Sequence, residues 1–371
     1  MTAAAALTKP FFHADHVGSL LRPPEVVAAR DAAARGAIDA AALRAVEDAA
    51  IREVVAGQEG VGLAVVTDGE FRRENWYADF IGRLAGVEIR AAEQNPAFAG
   101  SDVHYVPKNV VTTGPLRRPA PITVRDYAFL AGVTHATAKI TLPSPSRLHF
   151  HGGRSVVSID AYPDIEAFFA DVVRAYRAEI ADLEAAGCRY IQIDDPLFSY
   201  FISDRLRAEI VANGERPEDR LARYVRLIND CIAERRPDTA LGIHVCRGNA
   251  RSTWLAEGGY ERIAEQLFAE LRNDHFLLEY DDDRSGDFAP LRFMPAGKRV
   301  VLGLVTSKRG QLEDRATLLR RVEEATRYVP LEHLALSPQC GFASVVEGNI
   351  ITPADQWAKL RLIVDTAREI W

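Results

Sequence analysis

Two residues two apart, His244 and Cys246, are the first sign of chemistry in this chain. In an extended segment side chains alternate, so positions i and i+2 share one face. An imidazole beside a thiolate is half of a soft-metal site. A carboxylate at Glu279 and a second thiolate at Cys340 would complete a set of two thiolates, one imidazole and one carboxylate. Four such ligands suit tetrahedral zinc and disfavour magnesium or calcium. The other two cysteines, Cys188 and Cys231, read as small core residues. Further polar clusters stand at His16-Val17-Gly18-Ser19, at Thr67-Asp68-Gly69-Glu70-Phe71-Arg72-Arg73 and at Asp194-Asp195-Pro196.

Each cluster follows a short apolar run, and those runs set the architecture. Leu63–Thr67, Ala138–Leu142, Tyr190–Asp194, Ala240–Val245, Phe276–Tyr280 and Val300–Val305 are nearly continuous in apolar residues, as parallel strands covered on both faces must be. Helical periods lie between them, over 40–58, 165–186, 217–234, 260–271, 312–328 and 353–370. With Phe12–Val17 and His333–Leu336 the candidate strands reach eight, which predicts an α/β fold, a (β/α)8 TIM barrel. A doubly wound open sheet is the runner-up, but no Gly-x-Gly-x-x-Gly turn follows an early strand. Residues 84–135 break the rhythm and read as an excursion, a hairpin-like insertion between the second and third units. No linker or repeat divides residues 1–371, so a single domain is expected, with a loose tail over 1–10. In such a barrel the C-terminal strand ends carry the site.

Composition narrows the function classes. The 371 residues carry a net charge of −7, which disfavours a nucleic-acid partner because phosphate binding needs clustered cations. No apolar run approaches the roughly 20 residues of a membrane span. The N-terminus lacks the basic region of a signal peptide, and four cysteines make no disulfide scaffold, so a cytoplasmic enzyme is expected.

Seven segments carry a family likeness: HVGSLLRP (16–23), TDGEFRR (67–73), RPAPIT (118–123), IQIDDP (191–196), HVCRGN (244–249), LEYDD (278–282) and SPQCGF (337–342). In this order the chain resembles the C-terminal catalytic barrel of cobalamin-independent methionine synthase, and more closely its short single-barrel relatives. The resemblance implies zinc on His244, Cys246, Glu279 and Cys340, holding a small acceptor thiol, homocysteine, as thiolate. It assigns the amino and carboxyl groups of that thiol to Val17, Gly18, Ser19, Glu70 and Asp194. Asp195 is the alternative to Asp194, since adjacent strand residues face opposite sides.

The departures concern the methyl donor. Thr306 stands where the synthases carry a histidine thought to protonate the departing folate, and Phe150 aligns with a folate-stacking tryptophan. The segment from His104 to Asn109 replaces a pterin-binding Arg-Pro-Pro stretch. His104 and His149 remain as substitute acids. The expectation is a zinc-dependent methyltransferase acting on a small thiol with a donor other than polyglutamyl methyl-folate, such as a corrinoid, a corrinoid protein or a small S-methyl compound. The alternatives are an alkyltransferase resembling the epoxyalkane–coenzyme M transferases, and a non-catalytic thiol-binding relative.

Overall fold

The computed structural model describes residues 9–91 and 107–371. Its strands are β1 (Val65–Val66), β2 (Ala85–Ala91), β3 (Lys108–Arg117), β4 (Thr137–Ala138), β5 (Ile140–Pro143), β6 (Tyr190–Asp194), β7 (Ala240–Val245), β8 (His275–Glu279), β9 (Arg299–Val305) and β10 (Leu334–Pro338). A parallel sheet runs β5-β6-β7-β8-β9-β10, and β1 pairs in parallel with β4, immediately before β5. Ala14 bridges Leu336 in parallel and carries the ladder past β10. Between that segment and β1 the ring is drawn together by Leu20 N donating to Gly69 O at 3.1 Å and Thr67 Oγ1 to Gly18 O at 2.6 Å. The result is a parallel barrel. Phe12–Val17, expected as a strand, contributes only that single bridge.

Helices cover the outside, which is why β6, β7 and β8 are buried at every position. The expected helices appear as α2 (Ala40–Gly60), α5 (Ile165–Ala185), α7 (Pro217–Ile232), α8 (Glu261–Glu270), α9 (Arg315–Ala325) and α10 (Pro353–Ile370), joined by α1 (Pro24–Ala34), α3 (Ala78–Ile81), α4 (Val124–Ala131) and α6 (Asp204–Ala212). Caps fix their starts: Asp39 accepts from Ala42 N, and Asp314 from Thr317 N, so α9 begins three residues later than its apolar period suggests. Cys188 and Cys231 are buried, and burial raises the Cys188 thiol to about 12, as suits inert core residues.

In the stretch that breaks the rhythm, β2 and β3 pair antiparallel with Glu88 opposite Val111. Residues 92–106, including His104, lie outside the described residues. The same stretch holds α4, which its sequence period does not announce. No side chain of its own caps α4; Glu179 of α5 instead accepts from Ile122 N at 2.9 Å and Thr123 N at 2.7 Å.

The barrel interior is partly charged. The fully buried Lys139 donates to Asp15 Oδ1 at 2.8 Å, to Gln192 Oε1 at 3.1 Å and to the His16 carbonyl. Gln192 in turn donates to Val17 O at 2.6 Å and to Asp194 Oδ1 at 2.7 Å. Removing Lys139 or Asp15 would strand the other's buried charge, at a cost of about 3–5 kcal/mol. The network also sets Val17 and Asp194 in place above it. Among the described residues no helix is long and apolar enough to cross a membrane.

Candidate functional site

At the C-terminal mouth of the barrel, β7 delivers His244 and Cys246, and the turn after β10 delivers Cys340. One ligand atom from each lies within 4.8 Å of the others, and all three residues are buried. Neither ring nitrogen of His244 has a nitrogen or oxygen partner; its polar neighbour is the Cys246 sulfur. A buried, unsatisfied imidazole costs about 1–3 kcal/mol unless a ligand takes it up. Burial opposes a charge on His244, but Cys246, Asp194 and Glu279 outweigh it and raise the imidazole above its ordinary value. The Cys340 thiol beside it, and then His244, pull Cys246 well below the ordinary thiol range, while Cys246 and burial push Cys340 well above it. Two thiols and an orphaned imidazole form a donor set that suits a soft tetrahedral ion.

Glu279, the fourth expected ligand, is not brought into that group. It ends β8 one strand away, where Oε1 accepts from Arg284 Nη2 at 3.1 Å and Lys308 Nζ at 3.2 Å, and Oε2 from Arg247 N at 2.8 Å. These cations hold its carboxyl at about 2, against the effect of burial.

A cleft of about 60 Å3 opens beside the thiols, and Val17, Ser19, Glu70 and Asp194 all line it. Gly18 sits just behind: a Cβ there would meet Thr141 Cγ2 at 2.9 Å and Glu70 Oε1 at 3.1 Å, and its φ is +143°. Glu70 itself holds a left-handed backbone, φ +60°, which a non-glycine residue adopts at a cost of roughly 1–3 kcal/mol. Arg22 maintains that turn by donating to the carbonyls of Glu70, Arg73, Ala343 and Val345, so one buried guanidinium ties the turn after β1 to the loop after β10. Glu70 Oε1 accepts from Thr141 Oγ1 at 2.8 Å and stands 3.7 Å from Arg73 Nη1, whereas Oε2 has no partner among the described residues. Burial, then the nearby Glu70 carboxylate, raises Asp194 to about 7.

The choice between Asp194 and Asp195 is made by the pleat. Asp195 turns away and accepts from Leu197 N, Phe198 N and the hydroxyls of Ser144 and Ser146, capping the turn Pro196–Phe201. Ser19 reaches the cleft because Gly341 leaves room for it; a Cβ on Gly341 would overlap Ser19 Oγ.

The donor-side residues are placed less as expected. Thr306 lies outside the cleft lining and shares a surface depression with Arg284 and Lys308. Phe150 is core, edge-on to Tyr200 at 4.6 Å, and does not line the cleft. His149 is buried against Tyr224 Oη at 2.9 Å and lowered by burial to about 4, so it is no acid at neutral pH. Trp76, which also lines the cleft, had no sequence signal beyond its place six residues after Glu70.

The sequence model of the cobalamin-independent synthase catalytic domain matches residues 12–369. The uncharacterised Bacillus subtilis protein YxjH is 44% identical, over 97% of this chain and 95% of its own length. A solved structure from Listeria monocytogenes, a candidate vitamin-B12-independent methionine synthase, superposes with a TM-score of 0.78 at 39% identity, covering 97% of this chain and 98% of that one. The 5-methyltetrahydropteroyltriglutamate–homocysteine methyltransferase of a Synechococcus strain is 25% identical over 88% of this chain but 39% of its own length. Because the matching family is cobalamin-independent, the corrinoid or corrinoid protein expected above is not supported as a donor.

Proposed function

The chain belongs to the family of cobalamin-independent synthase catalytic domains, and from that premise we propose that it is a zinc-dependent cytoplasmic methyltransferase that converts homocysteine to methionine. The donor in this reading is not polyglutamyl methyl-folate. The observation that carries it is the meeting of two chemistries in one cleft: the thiol pair with an orphaned imidazole, and two carboxylates with oxygens to spare.

His244, Cys246 and Cys340 would hold the ion, and Glu279 would serve as the fourth ligand only by turning from Arg284 and Lys308 toward them. Zinc bound there would keep the acceptor sulfur as thiolate at neutral pH, where a free thiol of pKa near 8.5 is mostly protonated. The protein's own groups do the rest. Glu70 and Asp194 hold the acceptor's ammonium, and the cation between them relieves the repulsion that raises Asp194. The Ser19 hydroxyl and the backbone N–H groups of the Val17-Gly18-Ser19 turn receive its carboxylate. Trp76, in the wall of the cleft, would limit water at the reacting sulfur. Coenzyme M fits this arrangement poorly, because it has no ammonium and its sulfonate would face two carboxylates.

Among the described residues the expected donor-side acids do not reach the cleft. Methyl-folate needs its leaving nitrogen protonated, a step worth roughly 10²–10⁴-fold. Thr306 is outside the cleft and His149 is sealed in the core. The deciding experiment incubates zinc-loaded enzyme with L-homocysteine and a panel of methyl-folate and small S-methyl donors, with methionine read by mass spectrometry. No methionine from any donor overturns the proposal.

A further inference from the structure

A second cavity of about 80 Å3 adjoins the thiol cleft and shares Trp76, Pro196 and Gly248 with it. Its other walls include Tyr77, Arg147, His151 and Tyr200. Arg147 is 3% exposed. Its guanidinium lies 4.2 Å over the Tyr77 ring, and one amino group, Nη2, donates to Lys108 O at 2.6 Å. Among the described residues no carboxylate pairs with it. Arg22 and Arg247, also buried and without a carboxylate ion pair, donate to four and three carbonyls, whereas among the described residues Arg147 donates to one. A buried cation without a counter-charge is costly, and a guanidinium fork best satisfies itself on a carboxylate.

The remaining walls are aromatic. Trp76 lies edge-on to Tyr77 with ring centroids 4.9 Å apart, and Tyr200 meets His151 at 5.6 Å. Aromatic faces stabilise onium methyl groups electrostatically. Burial, then Arg147, lowers His151 well below its ordinary value, so it stays neutral, and burial raises Tyr200. Neither the neutral His151 nor the raised Tyr200 is therefore a strong proton donor to a leaving group here.

We propose that this chamber binds the methyl donor, and that the donor is a compact methylsulfonium carboxylate with its carboxylate on Arg147 and its onium methyl against Trp76 and Tyr200. This rests on the acceptor reading given above. The step balances without a proton: the acceptor thiolate forms the new S–CH3 bond, the donor S–CH3 bond breaks, and its electron pair stays on the donor sulfur. The donor then leaves as a neutral thioether that still carries its carboxylate.

The test begins with binding alone, by calorimetry without homocysteine, using dimethylsulfoniopropionate as the carboxylate-bearing probe and trimethylsulfonium as the control. Wild type should bind the first, Arg147→Gln should weaken it about 10- to 150-fold, and the control, a cation freed of a like charge, should bind the variant at least as well as wild type. Arg147→Lys, which keeps the charge but loses the fork, should fall between and serves if the glutamine variant does not fold. With zinc and homocysteine, wild type should give methionine and methylthiopropionate one to one. Absence of probe binding to wild type, unchanged affinity in both variants, or methyl transfer from methyl-folate alone would overturn the assignment. Arg147-dependent binding without methionine from any donor would instead uphold the chamber and sink the acceptor reading.

Discussion

Glu70→Gln tests the acceptor end of the cleft most directly. The substitution keeps the side chain's size and leaves the left-handed backbone as it is, so what changes is charge. Two unit charges 4 Å apart attract by about 4 kcal/mol at an effective dielectric of 20. Arg73, 3.7 Å from the same carboxylate, competes for part of that field. What remains should resemble a charge-assisted hydrogen bond, about 1.5–3 kcal/mol, or roughly a 10- to 150-fold rise in the dissociation constant of homocysteine. Calorimetry on the zinc-loaded protein reads this directly, with 3-mercaptopropionate as a thiol that lacks the ammonium. The two thiols should separate: homocysteine weakened, mercaptopropionate insensitive. Equal weakening of both would mean that Glu70 only supports the turn, and no weakening of either would remove the ammonium from this end of the cleft.

The metal predictions are simpler. Purified protein should carry about one zinc per chain by elemental analysis, and Cys340→Ser or His244→Ala should lose most of it, since a site missing one of four ligands is weak; full occupancy in the double variant of Cys246 and Cys340 would end the zinc reading. Methyl-folate turnover with saturating homocysteine should stay far below the roughly 1 s⁻¹ of ordinary enzymes, and a rate at or above that level would show that another group acts as the acid. Arg22→Met should destabilise the fold by about 3 kcal/mol in urea unfolding, because four carbonyls lose a charged donor; a change under about 0.5 kcal/mol, ordinary for surface positions, would show that water replaces it. Asp195 is raised by burial to about 6, so the folded state binds its proton more tightly than the unfolded chain. The stability this gives is present below about pH 4 and is lost as pH rises through 6, about 3 kcal/mol in all. Asp195→Asn does not titrate, so its stability relative to wild type should increase from pH 4 to pH 8, and a pH-independent difference in melting would contradict the burial argument.

The sequence determined the parts that depend on local pattern. Short apolar runs rich in β-branched residues between helical periods mark strands covered on both sides, and the run from Tyr190 to Asp194 is buried at every position, as that logic requires. Spacing of two in an extended segment put His244 and Cys246 on one face, and the pair does meet Cys340 from the far end of the chain. What the sequence left open was decided by packing between distant segments. The pleat sent Asp194 into the cleft and Asp195 into a cap, a choice that adjacent identical residues cannot display. Glu179 on α5 supplies the cap that makes α4 a helix, and no local period records a carboxylate more than fifty residues away. Glu279 stands with Lys308 and Arg284 because two buried cations reach it from loops, a contact set by three-dimensional crowding. Trp76 and Arg147 meet at the second chamber from the loop after β1 and from the 3-10 turn Pro145–Leu148, with nothing in their spacing to pair them. Side-chain chemistry is written residue by residue, but partnership among buried charges is a property of which loops the closed barrel brings together.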